Sequence, residues 1–156
     1  MPARVRLLVI ALLACLVGGV VGWGSDVHGL ITTAGKNKAV ARLLDATATP
    51  AIWNYVAIGT GDGAGVCVAA AAGDTALQLE VGTRQQDTDA DPDPPSPTGL
   101  QQLIVTFGAG VGTGSLCEVG ILNAAAAGDL LSRTTFSVIT KAAGDSLQVT
   151  FKLTVS

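Results

Sequence analysis

The chain has 156 residues and a formal charge of -3, from nine Lys+Arg against twelve Asp+Glu, with a single histidine. It is 49% hydrophobic with 20 glycines, yet only 4% aromatic and 13% charged, a balance that suits short strands and tight turns better than long salt-bridged helices. With no basic cluster after Arg6 and no CxxC spacing among Cys15, Cys67 and Cys117, the composition argues against a nucleic-acid partner and against a zinc site.

Arg4 and Arg6 precede the apolar run Leu7 to Gly22, "LLVIALLACLVGGVVG", which has the charged and apolar regions of a signal peptide. The run is also about as long as a short membrane span, although Gly18, Gly19 and Gly22 weaken it as a helix. "LLAC" before Cys15 is a loose match to a lipoprotein cleavage site, with Leu13 a poor residue for it. A third reading is a start codon assigned too early, with translation beginning near Val20, Val21 or Val27. Residues 1–28 are therefore set apart as a leader, a membrane segment or a mis-assigned start, and residues 29–156 as one β-rich domain. A membrane is a partner only if the first segment is retained.

From Thr32, "TTAGKNKAVARLLDA" places Val40, Leu43 and Leu44, with Ala39, at the spacing of one helical face. Thr32 or Thr33 can cap the start, Lys36, Lys38 and Arg42 form a solvated side, and Pro50 ends the helix by Thr49. "IWNYVAIGTG" then alternates as a strand, with Trp53, Tyr55 and Ala57 on one side and Ile52, Asn54, Val56 and Ile58 on the other. The following "GTGDGAG" reads as a glycine-rich turn: it lacks the GKS or GKT of a phosphate-binding loop and has no helix signal after it.

Val66 to Ala72 is an apolar run, and "GDTALQLEVGTR" follows, in which Asp74 or Thr75 can cap a turn of helix and Glu80 can pair with Arg84 if that piece is helical. Cys67 and Cys117 both fall in apolar, strand-like text and read as small buried thiols, since a disulfide between them requires an adjacency that sequence does not supply. "QQDTDADPDPPSPTG" breaks all periodicity. Asp87, Asp89, Asp91 and Asp93 alternate there, but the turn glycine and the later bidentate acid of a calcium loop are missing, and Pro92, Pro94, Pro95 and Pro97 hold an extended, solvated loop.

The remainder reads as strands: Leu103, Val105 and Phe107 in the first, "LCEVGILNA" in the second, "DLLSRTTFSVIT" in the third and "SLQVTFKLTV" in the last. The last is the clearest, with Leu147, Val149, Phe151, Leu153 and Val155 on one face. Turns fall at Asn123 to Asp129 and Ala142 to Asp145, the second with Gly144 where a positive φ is expected. The fold expected is mainly β: an antiparallel β-sandwich or barrel-like sheet with one short N-terminal helix, and a central hairpin around 117 to 138.

Chemistry is sparse in this text. His28, the one candidate base for a nucleophilic triad, sits beside the N-terminal segment, and no spacing selects a carboxylate pair from Glu80, Glu118 and the aspartates. Glu118 interrupts an apolar strand, so it either faces solvent or pairs with a neighbour such as Arg133. No catalytic residue, metal ligand or cofactor-binding residue is assigned.

The ordered segments "GLITTAGKNKAVARLL", "NYVAIGTGDG", "DTALQLEVGTR", "EVGILNAAAAGDLLSRTTF" and "ITKAAGDSLQVTFKL" resemble those of tailed-bacteriophage structural proteins, in particular the N-terminal modules of tail-fibre or tail-collar proteins. The resemblance spans about Gly29 to Val155 and departs from the pattern at 87–98, where further strand text is expected, and at the apolar N-terminus. It implies a non-enzymatic virion component of the tail, fibre attachment or head decoration. Such a protein is assembled in the host cytoplasm and binds copies of itself and other virion proteins. Trp53, Tyr55, Glu118 and Arg133 are the interface candidates, the aromatic pair because large amphipathic rings concentrate binding energy. The alternative is a secreted or lipid-anchored bacterial β-sandwich that binds a carbohydrate or a cell-surface ligand, the N-terminus being a true signal.

Overall fold

The structure is a computed structural model in which residues 9–15, 23–27, 30–44, 52–87 and 100–154 are described. Among them, in chain order, are β1 (Val9–Cys15), β2 (Trp23–Val27), β3 (Leu30–Ile31), α1 (Thr33–Leu44), β4 (Tyr55–Gly59), β5 (Glu80–Gln86), β6 (Leu100–Phe107), β7 (Gly114–Leu122), β8 (Leu130–Lys141) and β9 (Leu147–Thr154). The strands pair antiparallel in two sheets, ordered β2-β1-β9-β6 and β3-β8-β7-β4-β5. The sandwich form of the expected fold is the one present, with no closed barrel among the described residues. His28 and the aspartate and proline segment at 88–99 lie outside the described residues.

Alternation puts the core between the sheets. Val105 and Phe107 from β6 and Leu147, Val149 and Phe151 from β9 meet Val56 and Ile58 from β4 and Leu116, Val119 and Ile121 from β7, all buried in one cluster. The last strand behaves as its period of two predicts, with Leu147, Val149 and Phe151 each at most 2% exposed. Each such side chain contributes about 1.5–3 kcal/mol of apolar burial. β7 and β8 form the expected hairpin, with β7 at the centre of the five-stranded sheet.

The helix starts where its cap predicts. Thr32 is fully buried, its Oγ1 accepts the Gly35 N–H at 3.0 Å, and the same hydroxyl donates to the Leu130 carbonyl, so the cap also fastens α1 to β8. The side chains of Val40, Leu43 and Leu44, expected on the apolar face, lie outside the described residues. Lys38 on the exposed side reaches Asp129 of the β7–β8 turn at 3.3 Å.

The described part of the apolar N-terminal run is extended: β1 pairs with β2 along Val9 to Leu13 and touches β9 at Ala14 and Cys15. Elsewhere two local expectations are corrected and one condition, a helical 80–86, is not met. The aromatic strand begins only at Tyr55; Ile52 is 60% exposed, and Trp53 packs on the inter-sheet core while Tyr55 packs on a second, outer cluster, so the two rings do not share a side. Residues 80–86 are strand rather than helix. Gly144 is outside the left-handed region, which in the β7–β8 turn is occupied instead by Ala127 and Gly128.

The Glu80–Arg84 pair forms even so, with Arg84 Nε 2.8 Å from Glu80 Oε1 and Nη2 2.9 Å from Oε2. In a flat strand four residues would separate them by about 13 Å. The register explains it: Val56 pairs with Gln85 and Ile58 with Val81, so Gly82 to Arg84 of β5 oppose Ala57 alone, and this bulge in β5, with Gly82 at φ 74°, shortens the path between the two side chains. A Cβ at Gly82 would lie 2.5 Å from Gly112 N, so both space and conformation require glycine.

Candidate functional site

Residues 60–79 join β4 to β5 as a strap that crosses the outer face of the five-stranded sheet. The face beneath it is shaped by small residues of β4 and β7. Gly59, Ala57 and Gly120 leave room for Glu118 and Leu77, and Leu77 closes a second buried cluster with Ala57, Leu122 and Leu130. A Cβ at Gly59 would fall 2.4 Å from Glu118 Oε1, and one at Gly120 2.6 Å from Leu77 Cδ1.

Glu118 and Arg133 meet under this strap. Val119 and Ile121 face the inter-sheet core, so alternation puts Glu118 on the outer face beside Arg133; the β7–β8 register shift between Leu116 and Glu118 is where the alternation breaks and Leu116 also turns to the core. Neither residue looks out to solvent: Glu118 is 0% exposed and Arg133 2%. Arg133 Nε donates to Glu118 Oε2 at 2.8 Å, and the other carboxylate contacts come from the strap backbone, Gln78 N at 3.1 Å and Leu79 N at 3.0 Å.

The guanidinium then fans out into the strap. Nη1 donates to Asp74 Oδ2 at 2.9 Å, and Nη2 to the Val68 carbonyl at 3.0 Å and to Gln78 Oε1 at 2.8 Å. Gln78 Oε1 also accepts the Val68 N–H at 2.7 Å, tying the outward and return limbs of the strap together. Desolvation, the largest single influence on Arg133, pulls its pKa down, but the hydrogen bonds and charges of Glu118 and Asp74 together outweigh it and leave the pKa raised. A buried guanidinium balanced in this way stays charged and holds a fixed geometry.

A covalent link adds to the polar one. Cys67 of the strap is bonded to Cys117 of β7, with their Cα atoms 5.9 Å apart, so the two cysteines are not the separate buried thiols that local sequence suggests. Beside the bond an open cleft of about 560 Å³ is lined by Gly65 and Val66 of the strap, by the two cysteines and by Thr135 to Val138 of β8. Val66 and Val138, which line it, are 64% and 52% exposed, and Val68 further along the strap is 66% exposed. Where the strap leaves β4, the Asp62 carboxylate accepts the N–H groups of Val66 and Ala64 at 3.0 and 2.8 Å, which hold its pKa below the ordinary 3.8.

Of the four interface candidates, then, Glu118 and Arg133 are brought together and buried inside the chain, while Trp53 and Tyr55 are half-buried on opposite clusters. Sequence reasoning found the Glu118–Arg133 pair from two charges on apolar strands. It missed Asp74, Gln78 and the disulfide, whose only signal is a polar text after an apolar run. No group of three or more His, Cys, Asp or Glu residues suited to a metal occurs among the described residues. No helix among them is long and apolar enough to cross a membrane. No known family matches the chain, and neither does any curated protein or solved structure.

Proposed function

We propose that the chain is a non-enzymatic structural component of a phage or prophage virion, in the tail, the fibre attachment or the head-decoration layer, acting by assembly with copies of itself and with other virion proteins. The observation that supports this reading is where the charged residues of the resembling segments are used. Asp74 of "DTALQLEVGTR", Glu118 of "EVGIL" and Arg133 of "LLSR" form one internal brace, and Glu80 with Arg84 forms another that grips the carbonyls of Ala124 and Ala127. Those residues build a rigid frame, and contact with neighbours falls to strand edges and exposed valines. The alanine turn at 124–127, free of bulky side chains, is a place for close approach by a neighbouring subunit.

The disulfide favours a second reading, because such bonds form and persist in oxidising compartments. In that reading the chain is a secreted or lipid-anchored β-sandwich that binds a carbohydrate or a cell-surface ligand. Electron microscopy of gradient-purified particles from a culture producing the chain separates the two. Density for this sandwich at a repeated site on the particle supports the virion role. Particles free of it, with a processed chain in the medium or envelope fraction, refute that role.

A further inference from the structure

The strap is held in two different ways along its length. Its return limb is held by burial and charge: Leu77 is 7% exposed, and the Gln78 and Leu79 amides donate to Glu118. Its outward limb buries little, Val66 and Val68 being 64% and 66% exposed; it is held by hydrogen bonds, the Val68 carbonyl on Arg133, the Val68 amide on Gln78, the Ala72 carbonyl on the Thr33 amide and the Ala64 and Val66 amides on Asp62, and by one covalent tie, the bond from Cys67 to Cys117. The two sulfurs also differ in surroundings. Cys117 is 1% exposed, whereas Cys67 is half-buried, and both line the open cleft beside β8.

We propose that the Cys67–Cys117 bond is a reversible redox clasp on the outward limb of the strap: a small dithiol opens it in the folded protein, releasing residues 64–72 and widening the cleft over Thr135 to Val138. A thiolate of the dithiol enters through the cleft and attacks Cys67 Sγ, the more exposed sulfur. The S–S bond breaks, Cys117 leaves with the bonding pair as a thiolate and takes a proton from solvent. The reductant's second thiolate then displaces Cys67 from the mixed disulfide. The dithiol is oxidised by two electrons to a cyclic disulfide and the cystine is reduced to two thiols. Lifting the outward limb takes the Val68 carbonyl from Arg133 and the Val68 amide from Gln78, but the return limb stays down on buried Leu77 and on the Gln78 and Leu79 amides, which still donate to Glu118.

The distinction matters because a bond that merely stabilised the fold would loosen everything equally on reduction. Here the sheets and the return limb carry their own contacts, so the response is local. Opening widens the cleft beside Thr135 to Val138, a change of surface that tracks the redox state of the medium.

Hydrogen exchange measured by mass spectrometry on the full chain, oxidised and after dithiothreitol treatment without denaturant, tests this, with peptide mapping to separate Cys67 and Cys117 from Cys15. The expected result is full reduction of the pair under native conditions and a roughly tenfold or greater rise in exchange over 64–72. The Gln78 and Leu79 amides and β7, β8 and β9 stay unchanged, and reoxidation restores the starting pattern. Cys67→Ser reproduces the reduced pattern without any reductant. The proposal is overturned if the bond resists dithiothreitol until the protein is denatured. Unchanged exchange at 64–72 after reduction, or faster exchange across both sheets, overturns it as well.

Discussion

Arg133 Nε sits 2.8 Å from Glu118 Oε2 with both side chains removed from solvent, and the remaining contacts of each reach residues 68–79 rather than their own strands. The pair therefore does more than join β7 to β8: it is the polar floor on which the strap rests. Removing one partner leaves the other buried and uncompensated, the costly way to break such a pair.

Arg133→Met is accordingly expected to destabilise the protein by about 3–5 kcal/mol, while Glu118→Gln with Arg133→Met loses less than the two single changes added together. Denaturant unfolding of the four proteins of this double-mutant cycle gives the coupling. Additive losses would show that the two residues act on the strap independently.

Space at Gly59 is set by the same carboxylate. Gly59→Ala places a methyl 2.4 Å from Glu118 Oε1 and 2.7 Å from the Leu79 carbonyl, so either the acid or the strap backbone must move. A loss of about 1–3 kcal/mol in stability is expected, with faster exchange of the Gln78 and Leu79 amides. Gly73→Ala, where a Cβ meets nothing within 4 Å, is the neutral control.

Arg84 braces the β7–β8 turn through the carbonyls of Ala124 and Ala127 while gripping Glu80 with two nitrogens. Arg84→Lys is expected to behave nearly as badly as Arg84→Ala, because one ammonium cannot span a carboxylate and two carbonyls at once. The loss, about 1–3 kcal/mol by thermal unfolding, should be accompanied by shifts in the amide resonances of 124–128.

Asp62 gives the strap a pH response of known sign. Its folded pKa lies below the 3.8 of a free aspartate because the ionised carboxylate accepts the Val66 and Ala64 amides. The stabilisation is therefore present above pH 3.8 and is lost as pH falls through the lower, folded value. Amide shifts of Ala64 and Val66 followed by NMR should titrate with a midpoint below 3.8, and Asp62→Asn should abolish that titration.

Thr32→Ala removes both the cap of α1 and the tie to the Leu130 carbonyl, and a loss of about 1–2 kcal/mol is expected, while Thr32→Ser retains most of both. Thermal unfolding of the two variants, with helical circular dichroism, separates the cap from the packing of the threonine methyl.

The sequence by itself determined the features that rest on local repetition. Alternation in "SLQVTFKLTV" and in Leu103 to Phe107 marked the inward faces of β9 and β6, because a period of two is the direct trace of a sheet with one side in the core. Thr32 announced the start of α1, and two charges set into the apolar text of β7 and β8 announced each other. Only the tertiary structure decided what depends on contacts between distant residues. Cys67 and Cys117 are 50 positions apart, Asp74 and Arg133 lie on separate elements, and the bulge at Gly82 that turns an apparent helical pair into a strand pair exists only against β4. The strap carries no period of its own because its partners are a carboxylate, a guanidinium and a sulfur on the outer face of another hairpin. Local sequence records how deeply a side chain is buried, and it does not record which surface covers it.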